Sequence, residues 1–173
     1  MLYAYQGTTP RVDASAYVQE SAHVIGDVVI GARSSVWFNV VIRADVHHVR
    51  IGARTNIQDN STIHVTAGRW PTLVGDDVTV AHGVIVHGCQ IGDRCLIGMG
   101  AIVMDGAEIA DECLVGAGAL VTPGTKIPAR QLVLGSPGKI VRALRPDEIE
   151  HLHASARNYV ERAAQYRAHL QRA

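Results

Sequence analysis

Residues 91–127, IGDRCLIGMGAIVMDGAEIADECLVGAGALVTPGTKI, place an aliphatic residue at every sixth position without a break. An α-helix of about 3.6 residues per turn cannot keep a period of six on one face. Short strands separated by a turn can keep it, and three such strands make one triangular coil. Stacked coils bury the aliphatic residues inside a parallel β-helix. This stretch therefore predicts a mainly β fold.

The same period extends from about residue 10 to about residue 140. The register breaks three times: three extra residues follow Ile42, five follow Ile63, and one is missing after Val86. Such breaks mark surface loops or sites. The aliphatic members of the repeat are Val12, Val18, Val24, Ile30, Val36, Ile42, Ile51, Ile57, Ile63, Val74, Val80, Val86, Ile91, Ile97, Val103, Ile109, Val115, Val121, Ile127 and Val133.

A different period begins near the C-terminus. Pro146 and Asp147 are residue types that begin helices. The apolar residues that follow recur at helical spacing, at Ile149, Leu152, Ala156, Tyr159, Val160 and Ala163. We predict one amphipathic helix over residues 147–171, packed alongside the coils, and a single domain over residues 1–173.

The composition excludes several classes of function. The 16 basic and 16 acidic residues balance, so nothing favours binding to nucleic acid or to a membrane surface. No apolar run is long enough to span a membrane, and no signal peptide is visible at the N-terminus. Three cysteines without a CxxC pair are typical of a reducing, cytoplasmic protein. Cys89 is expected at the edge of the site described next, where its thiol could be exposed.

Three histidines lie around the breaks in the register. His64 and His87 each directly follow an aliphatic member of the repeat, so they occupy the same outward position one coil apart. Stacked strands are ~4.8 Å apart, and two imidazoles at that separation can hold one metal ion. His82 points from a neighbouring face. A second copy of the chain, in a trimer with three-fold symmetry, would bring it to the pair.

The coil alignment also places polar and apolar neighbours. Arg43 falls beneath His64, while Gln58 and Asp59 fall beneath Ala81 and His82. Met104 and Met99 stack above His87 and His82. Three neutral imidazoles in an open site suit Zn²⁺, which lowers the pKa of bound water towards ~7. Such a centre attacks electrophilic carbon, of which carbon dioxide is the simplest substrate, but the spacing alone does not choose among hydrating and hydrolytic reactions.

Four motifs resemble the signature of γ-class carbonic anhydrases and their bacterial homologues: RAD at 43–45, NIQD at 56–59, IH at 63–64 and AHGVIVHG at 81–88. The repeat itself resembles the hexapeptide repeat, which implies a left-handed parallel β-helix. The resemblance implies a homotrimer in which His64, His82 and His87, from two subunits, bind zinc. It assigns Arg43, Asp45 and Asp59 to a polar network between subunits, and Gln58 to positioning zinc-bound hydroxide. The implied reaction is hydration of CO2 to bicarbonate.

The sequence also departs from the family's prototype. Val46 stands where the prototype has a glutamate, and residues 65–73, VTAGRWPTL, are shorter than its acidic loop and lack the glutamate proposed as proton shuttle. We therefore expect low activity, because proton export limits fast anhydrases. Tyr159 is a further candidate, since a helix that folds back along about three coils would bring it level with the site. Packing on the coil wall is its alternative role.

Two other functions stay open. Many hexapeptide proteins are CoA-dependent acyltransferases, and a thioesterase or acyltransferase would fit the fold. A metal-binding homologue with little or no catalysis would fit the missing glutamates. The metal is expected to be zinc, with cobalt or iron as alternatives.

Overall fold

The computed structural model describes residues 1–171, which form short strands followed by one helix. The helix, α1, spans Pro146–His169. The strands are β1 Leu2–Tyr3, β2 Arg11–Val12, β3 Tyr17–Val18, β4 His23–Ile30, β5 Ser35–Val36, β6 Val41–Ile51, β7 Asn56–Ile57, β8 Thr62–His64, β9 Thr72–Val74, β10 Thr79–Val80, β11 Ile85–His87, β12 Gln90–Ile91, β13 Leu96–Ile97, β14 Ile102–Val103, β15 Glu108–Ile109, β16 Leu114–Val115, β17 Leu120–Val121, β18 Lys126–Ile127, β19 Gln131–Leu134 and β20 Lys139–Ala143.

The strands stack into the predicted parallel β-helix. One face carries β3, β5, β7, β10, β13, β16 and β19 in parallel register, and β20 closes its end by antiparallel pairing with β19. The other two faces belong to one 12-stranded sheet, because β4 and β6 run around a corner without interruption. The mainly β fold with a single C-terminal helix is therefore confirmed.

The interior is filled by the repeating aliphatic residues. Ile42, Ile57, Ile63 and Ile97 are fully buried, and one hydrophobic cluster runs from Ala16 to Val133. Along each strand the neighbour of a buried residue points outward, as strand alternation requires. A one-residue step from the interior position therefore reaches the outer wall.

Six residues with positive φ stack at the corner that precedes the β3–β19 face, here called the first corner. Their φ angles lie between 55° and 61°, and charged side chains occupy every level: Arg33, Arg54, Asp77, Arg94, Glu112 and Arg130. Arg54 donates two hydrogen bonds to Asp77, each 2.7 Å long. Glu112 accepts from Arg94 and Arg130 on either side. The regular repeat thus supports a column of ion pairs.

The helix begins one residue earlier and ends two residues earlier than the predicted 147–171. Its start is fastened by Glu148, which accepts a hydrogen bond from the backbone N–H of Arg145 at 2.8 Å. Its last turn reaches the first coil, where Tyr166 packs on Trp37 and Arg167 donates to the carbonyl of Ala16. The coil wall offers no strand before β3 on this face, which accounts for the earlier end. Within residues 1–171, no helix combines the length and apolarity needed to cross a membrane.

Candidate metal centre

His64 and His87 meet on the outer wall of the coil. They are direct partners in the parallel register of β8 and β11, and the preceding Ile63 and Val86 point inward and are fully buried. The Nδ1 atom of His64 lies 3.0 Å from the Nε2 atom of His87. The predicted stacking of this pair is present.

Two carboxylates determine which ring nitrogens carry hydrogen. Asp45 Oδ1 lies 3.0 Å from His64 Nε2, and Asp105 Oδ1 lies 2.6 Å from His87 Nδ1. An ionised carboxylate only accepts hydrogen bonds, so these two ring nitrogens are the donors in neutral imidazoles. The facing atoms, Nδ1 of His64 and Nε2 of His87, then each present a lone pair. Two lone pairs at this distance repel unless a proton or a cation lies between them.

The pair fits two ligands of one divalent metal ion. Nitrogen ligands of tetrahedral zinc at about 2.1 Å from the metal lie about 3.4 Å from each other, a little farther apart than the 3.0 Å between these two nitrogens. Carboxylates that back histidine ligands are the usual outer partners of such sites. Over residues 1–171, however, a single chain gathers no group of three or more His, Cys, Asp or Glu that could hold a metal ion. The pair is an incomplete ligand set.

His82 lies at another corner of the coil, between β10 and β11. Its Nδ1 atom is 2.8 Å from Oδ2 of Asp59, and its side chain is 47% exposed. Asp59 also accepts a hydrogen bond from the backbone N–H of Phe38. His82 is therefore oriented by a carboxylate like the other two histidines, but its own chain does not bring it to them.

Arg43 and Asp45 form the polar group predicted beneath His64. The Arg43 guanidinium donates to Oδ2 of Asp45, while Oδ1 of the same carboxylate faces His64. Burial alone would raise the pKa of Asp45, but the hydrogen bonds from His64 and Arg43 outweigh it and hold the pKa below its ordinary value. Asp45 is therefore a charged acceptor at neutral pH.

Gln58 belongs to the His82 side and is buried beneath the helix. Its Nε2 donates to Asn56 at 3.0 Å, and Asn56 in turn donates to the hydroxyl of Thr79 at 3.0 Å. The Thr79 hydroxyl is bonded to that of Ser155 on α1. The side chain of Gln58 is thus fixed by a chain of hydrogen bonds that ends on the helix.

Tyr159 also lies on the His82 side. Its ring packs edge-on against Trp37, with centroids 5.5 Å apart, and the Arg162 guanidinium lies over it at 5.3 Å. Burial raises the pKa of Tyr159, and the negative charge of Asp59 adds to the rise. Tyr159 therefore packs on the coil wall, which was its alternative role. Because Tyr159 lies near Asp59, which backs His82, it stands beside the His82 part of the candidate site.

Two residues of the centre escaped the sequence prediction. Asp105, which backs His87, and Thr66, which donates to Asp105 at 2.9 Å, come from different coils. The sequence did contain a signal for Asp105, which follows His87 by one full coil and therefore lies at the same corner.

The expectation for Cys89 was wrong: the residue is 1% exposed, and burial raises the pKa of its thiol to about 12.

Three relatives of known family match most of this chain. A carbonic anhydrase of Geobacillus kaustophilus is 47% identical over 168 residues, covering 97% of this chain and 92% of that protein. A probable carbonic anhydrase of Methanocaldococcus jannaschii is 52% identical over 150 residues, covering 87% of this chain and 94% of its own length. A mitochondrial γ carbonic anhydrase of Arabidopsis thaliana is 43% identical over 160 residues, covering 90% of this chain and 58% of that longer protein. This chain belongs to the γ carbonic anhydrase family.

The solved structures similar to this γ carbonic anhydrase family member include proteins that are named as transferases. A putative acetyltransferase from Bacillus cereus superimposes with a TM-score of 0.94 at 41% identity, covering 96% of both chains. The family model described as bacterial transferase hexapeptide (six repeats) matches residues 88–123. Proteins named carbonic anhydrase and a protein named acetyltransferase therefore share this fold, so the reaction has to be inferred from the site.

Proposed function

We propose that this protein is a zinc-dependent carbonic anhydrase that hydrates CO2 to bicarbonate at sites shared between subunits of a homotrimer. The facing lone pairs of His64 and His87, 3.0 Å apart, carry the proposal because they call for a cation. The family membership supports the reaction. His82 of a second copy completes the ligand set.

Each proposed ligand has its own carboxylate. Asp45, Asp59 and Asp105 accept the ring hydrogens and leave Nδ1 of His64 and Nε2 of the other two histidines to hold the metal. A zinc ion bound by three neutral imidazoles supplies a nucleophile at neutral pH by lowering the pKa of water. Arg43 keeps Asp45 charged, and Gln58, fixed through Asn56, positions the nucleophile. Cobalt or iron could replace zinc without changing these roles.

The surroundings suit a small apolar substrate. Ile85 and Met104 are exposed beside His87, and Met99, next to the His82 corner, is 58% exposed. Carbon dioxide carries no charge and needs no hydrogen-bond donor to enter such a surface. Val46, also exposed, provides no carboxylate to accept protons. We therefore expect slow turnover limited by proton export. The three buried free cysteines favour a reducing compartment such as the cytoplasm.

A second candidate is acyl transfer to or from a CoA thioester. The similarity to the putative acetyltransferase of Bacillus cereus is the observation that favours it. Hydrolysis of an acyl-CoA thioester by the metal centre would use the same ligands. A metal-binding homologue with weak catalysis is the remaining alternative, supported by Val46 and the short 65–73 segment.

Metal analysis followed by stopped-flow kinetics tests the proposal. We expect about one zinc ion per chain in protein purified without chelators, and CO2 hydration that disappears on chelation and returns with zinc. Cobalt and iron are measured in the same samples after anaerobic purification. Thioesterase activity without hydration would favour the second candidate, and protein that takes up no metal would overturn the proposed anhydrase.

Subunit mixing tests whether the sites are shared. His64→Ala and His82→Ala are each expected to abolish metal binding, because each variant damages every site of its own trimer. Refolding the two together regenerates sites in which both ligating surfaces are intact. His64→Ala mixed with His87→Ala is the matched control and regenerates none, since both changes lie on the same surface. Mixed trimers that never regain metal would contradict the shared site.

A further inference from the structure

The insertion after Ile63 is joined to the metal centre through Asp105. Asp105 accepts from the Thr66 hydroxyl through Oδ2 at 2.9 Å and faces His87 Nδ1 through Oδ1 at 2.6 Å. Thr66 and Trp70 close the insertion by mutual backbone hydrogen bonds. One carboxylate therefore connects the inserted segment to a proposed ligand.

The corner around Asp105 is built to leave room for these contacts. A Cβ atom added to Gly88 would lie 2.3 Å from Oδ1 of Asp105, so only glycine permits the carboxylate to approach. Trp70 covers this corner: a Cβ at Gly106 would lie 3.2 Å from its indole. The Arg69 guanidinium lies over the indole, 3.9 Å from the ring centroid. The inserted segment therefore packs against the corner that holds Asp105, while the Asp105 and His87 side chains stay partly exposed.

A second hydroxyl fastens the insertion to both histidine strands. The Thr72 hydroxyl donates to the carbonyl of His64 at 2.5 Å and accepts from the N–H of Gly88 at 2.9 Å. The insertion thus starts near Thr66, which is bonded to Asp105, and ends at Thr72, which is bonded to the backbone of His64 and Gly88. A loop that only bridged two strands would need neither contact.

Other aspartates at the corners have a different role. Asp76, Asp93 and Asp111 each accept a backbone N–H from the neighbouring coil, at 2.8 to 2.9 Å, and so stabilise the stacking itself. The partners of Asp105 are instead two side chains, one of them a proposed metal ligand. Its placement serves the orientation of His87.

We propose that Asp105 is a positioning residue, held by Thr66, that fixes His87 as the Nδ1–H tautomer and aims its Nε2 at the metal. The inference rests on the proposed metal centre. It assigns the register break after Ile63 to the metal centre, since the inserted segment supplies Thr66 and Trp70 and ends at Thr72, the first residue of β9. Loss of such an outer partner lowers metal affinity by about 10- to 100-fold.

Zinc affinity, measured by competition with a chromophoric chelator, tests this role in the full chain. We expect Asp105→Asn to weaken zinc binding at least about tenfold and Thr66→Val to weaken it several-fold, with Thr66→Ser restoring wild-type affinity. The visible spectrum of the cobalt-loaded protein should change in Asp105→Asn. Glu108→Gln is the control: it removes a carboxylate three residues along the chain whose ion pair is with Lys126 on the surface.

A readout that needs no metal separates this inference from the proposed function. Imidazole ¹⁵N shifts of metal-free protein should show His87 as the Nδ1–H tautomer in wild type and a mixture in Asp105→Asn. If wild type binds zinc and Asp105→Asn binds it equally well with an unchanged tautomer, the positioning role is wrong while the metal centre stands. If wild type binds no metal at all, the proposed function fails. In that case an unchanged His87 tautomer in Asp105→Asn would also show that Asp105 does not orient His87.

Discussion

Two corners of the same coil use charged residues for different purposes. At the first corner, six residues with similar positive φ keep the repeat, and neighbouring levels form ion pairs such as Arg54 with Asp77. At the corner that carries His64, His87 and Asp105, here called the site corner, the repeat gains and loses residues. There Asp45 and Asp105 each face an imidazole, and Asp45 also accepts from Arg43.

The difference shows what regularity and its interruption each provide. A regular stack holds every level at the same spacing, so opposite charges pair along the column and stabilise the coil. A break frees residues from that spacing, so side chains from four successive coils contact one another in a row: Asp45, His64, His87 and Asp105. The first corner should therefore govern stability, and the site corner should govern metal binding.

Glycine substitutions at the site corner should give the largest effect. Gly106 and Gly124 share a φ of +69° one coil apart, but only Gly106 lies against Trp70. Alanine costs about 1 kcal/mol at either position for the left-handed conformation. At Gly106 it must also displace the indole, for a total of about 2 kcal/mol. Denaturant unfolding of metal-free protein measures both values.

Gly124→Ala is the matched control, because its added Cβ meets nothing within 4 Å. We expect zinc affinity to fall in Gly106→Ala and to stay at the wild-type value in Gly124→Ala. Equal unfolding free energies and equal zinc affinities in the two variants would show that Trp70 does not support the site.

Glu112→Gln tests the first corner, where a substitution should lower stability and leave zinc affinity unchanged. Glu112 is 8% exposed and accepts from Arg94, Arg130 and His153. The hydrogen bond from Arg130 holds its pKa below the ordinary value in spite of burial. Removing the charge should lower the free energy of unfolding by about 1 kcal/mol, since the guanidinium groups remain partly solvated. Thermal unfolding of the metal-free protein checks it.

Metal affinity provides the second half of that test. Glu112→Gln should bind zinc like wild type, whereas His87→Ala should lose zinc while its metal-free melting temperature hardly changes. If Glu112→Gln weakens zinc binding as strongly as it lowers stability, the division of roles between the corners is wrong.

The smallest effect is expected at the start of α1, where an arginine–carboxylate contact lies outside the repeat. The hydrogen bonds from Arg142 and the Arg145 backbone lower the pKa of Glu148 from 4.5 to about 2. A lowered folded-state pKa stabilises the protein above the unfolded value, and this contribution is lost as the pH falls from about 4.5 to about 2. Glu148→Gln should therefore melt slightly below wild type at pH 6, and the gap should close in acid. A gap that is constant with pH would exclude the charge as its cause.

The period of six was enough to predict the coil and its interior residues, and the change to helical spacing predicted the helix that follows. It was also enough to predict that Ile63 and Val86 point inward and that His64 and His87 stack outward, because the alternation of a strand fixes the face of every neighbour. Counting positions along the repeat could not predict contacts where the repeat is interrupted. The inserted residues carry no period, so the contacts of Thr66 and Trp70 could not be counted from any neighbour.

The sequence by itself determined the architecture and the histidine pair, since both follow from a local repeat in which position dictates direction. Only the tertiary structure decided that Asp105 backs His87, that Cys89 is buried, and that Tyr159 packs on Trp37 near Asp59. Those contacts join residues from different coils, or from the coil and the helix. Their geometry depends on how an irregular segment closes over its neighbours, and no local pattern encodes that closure.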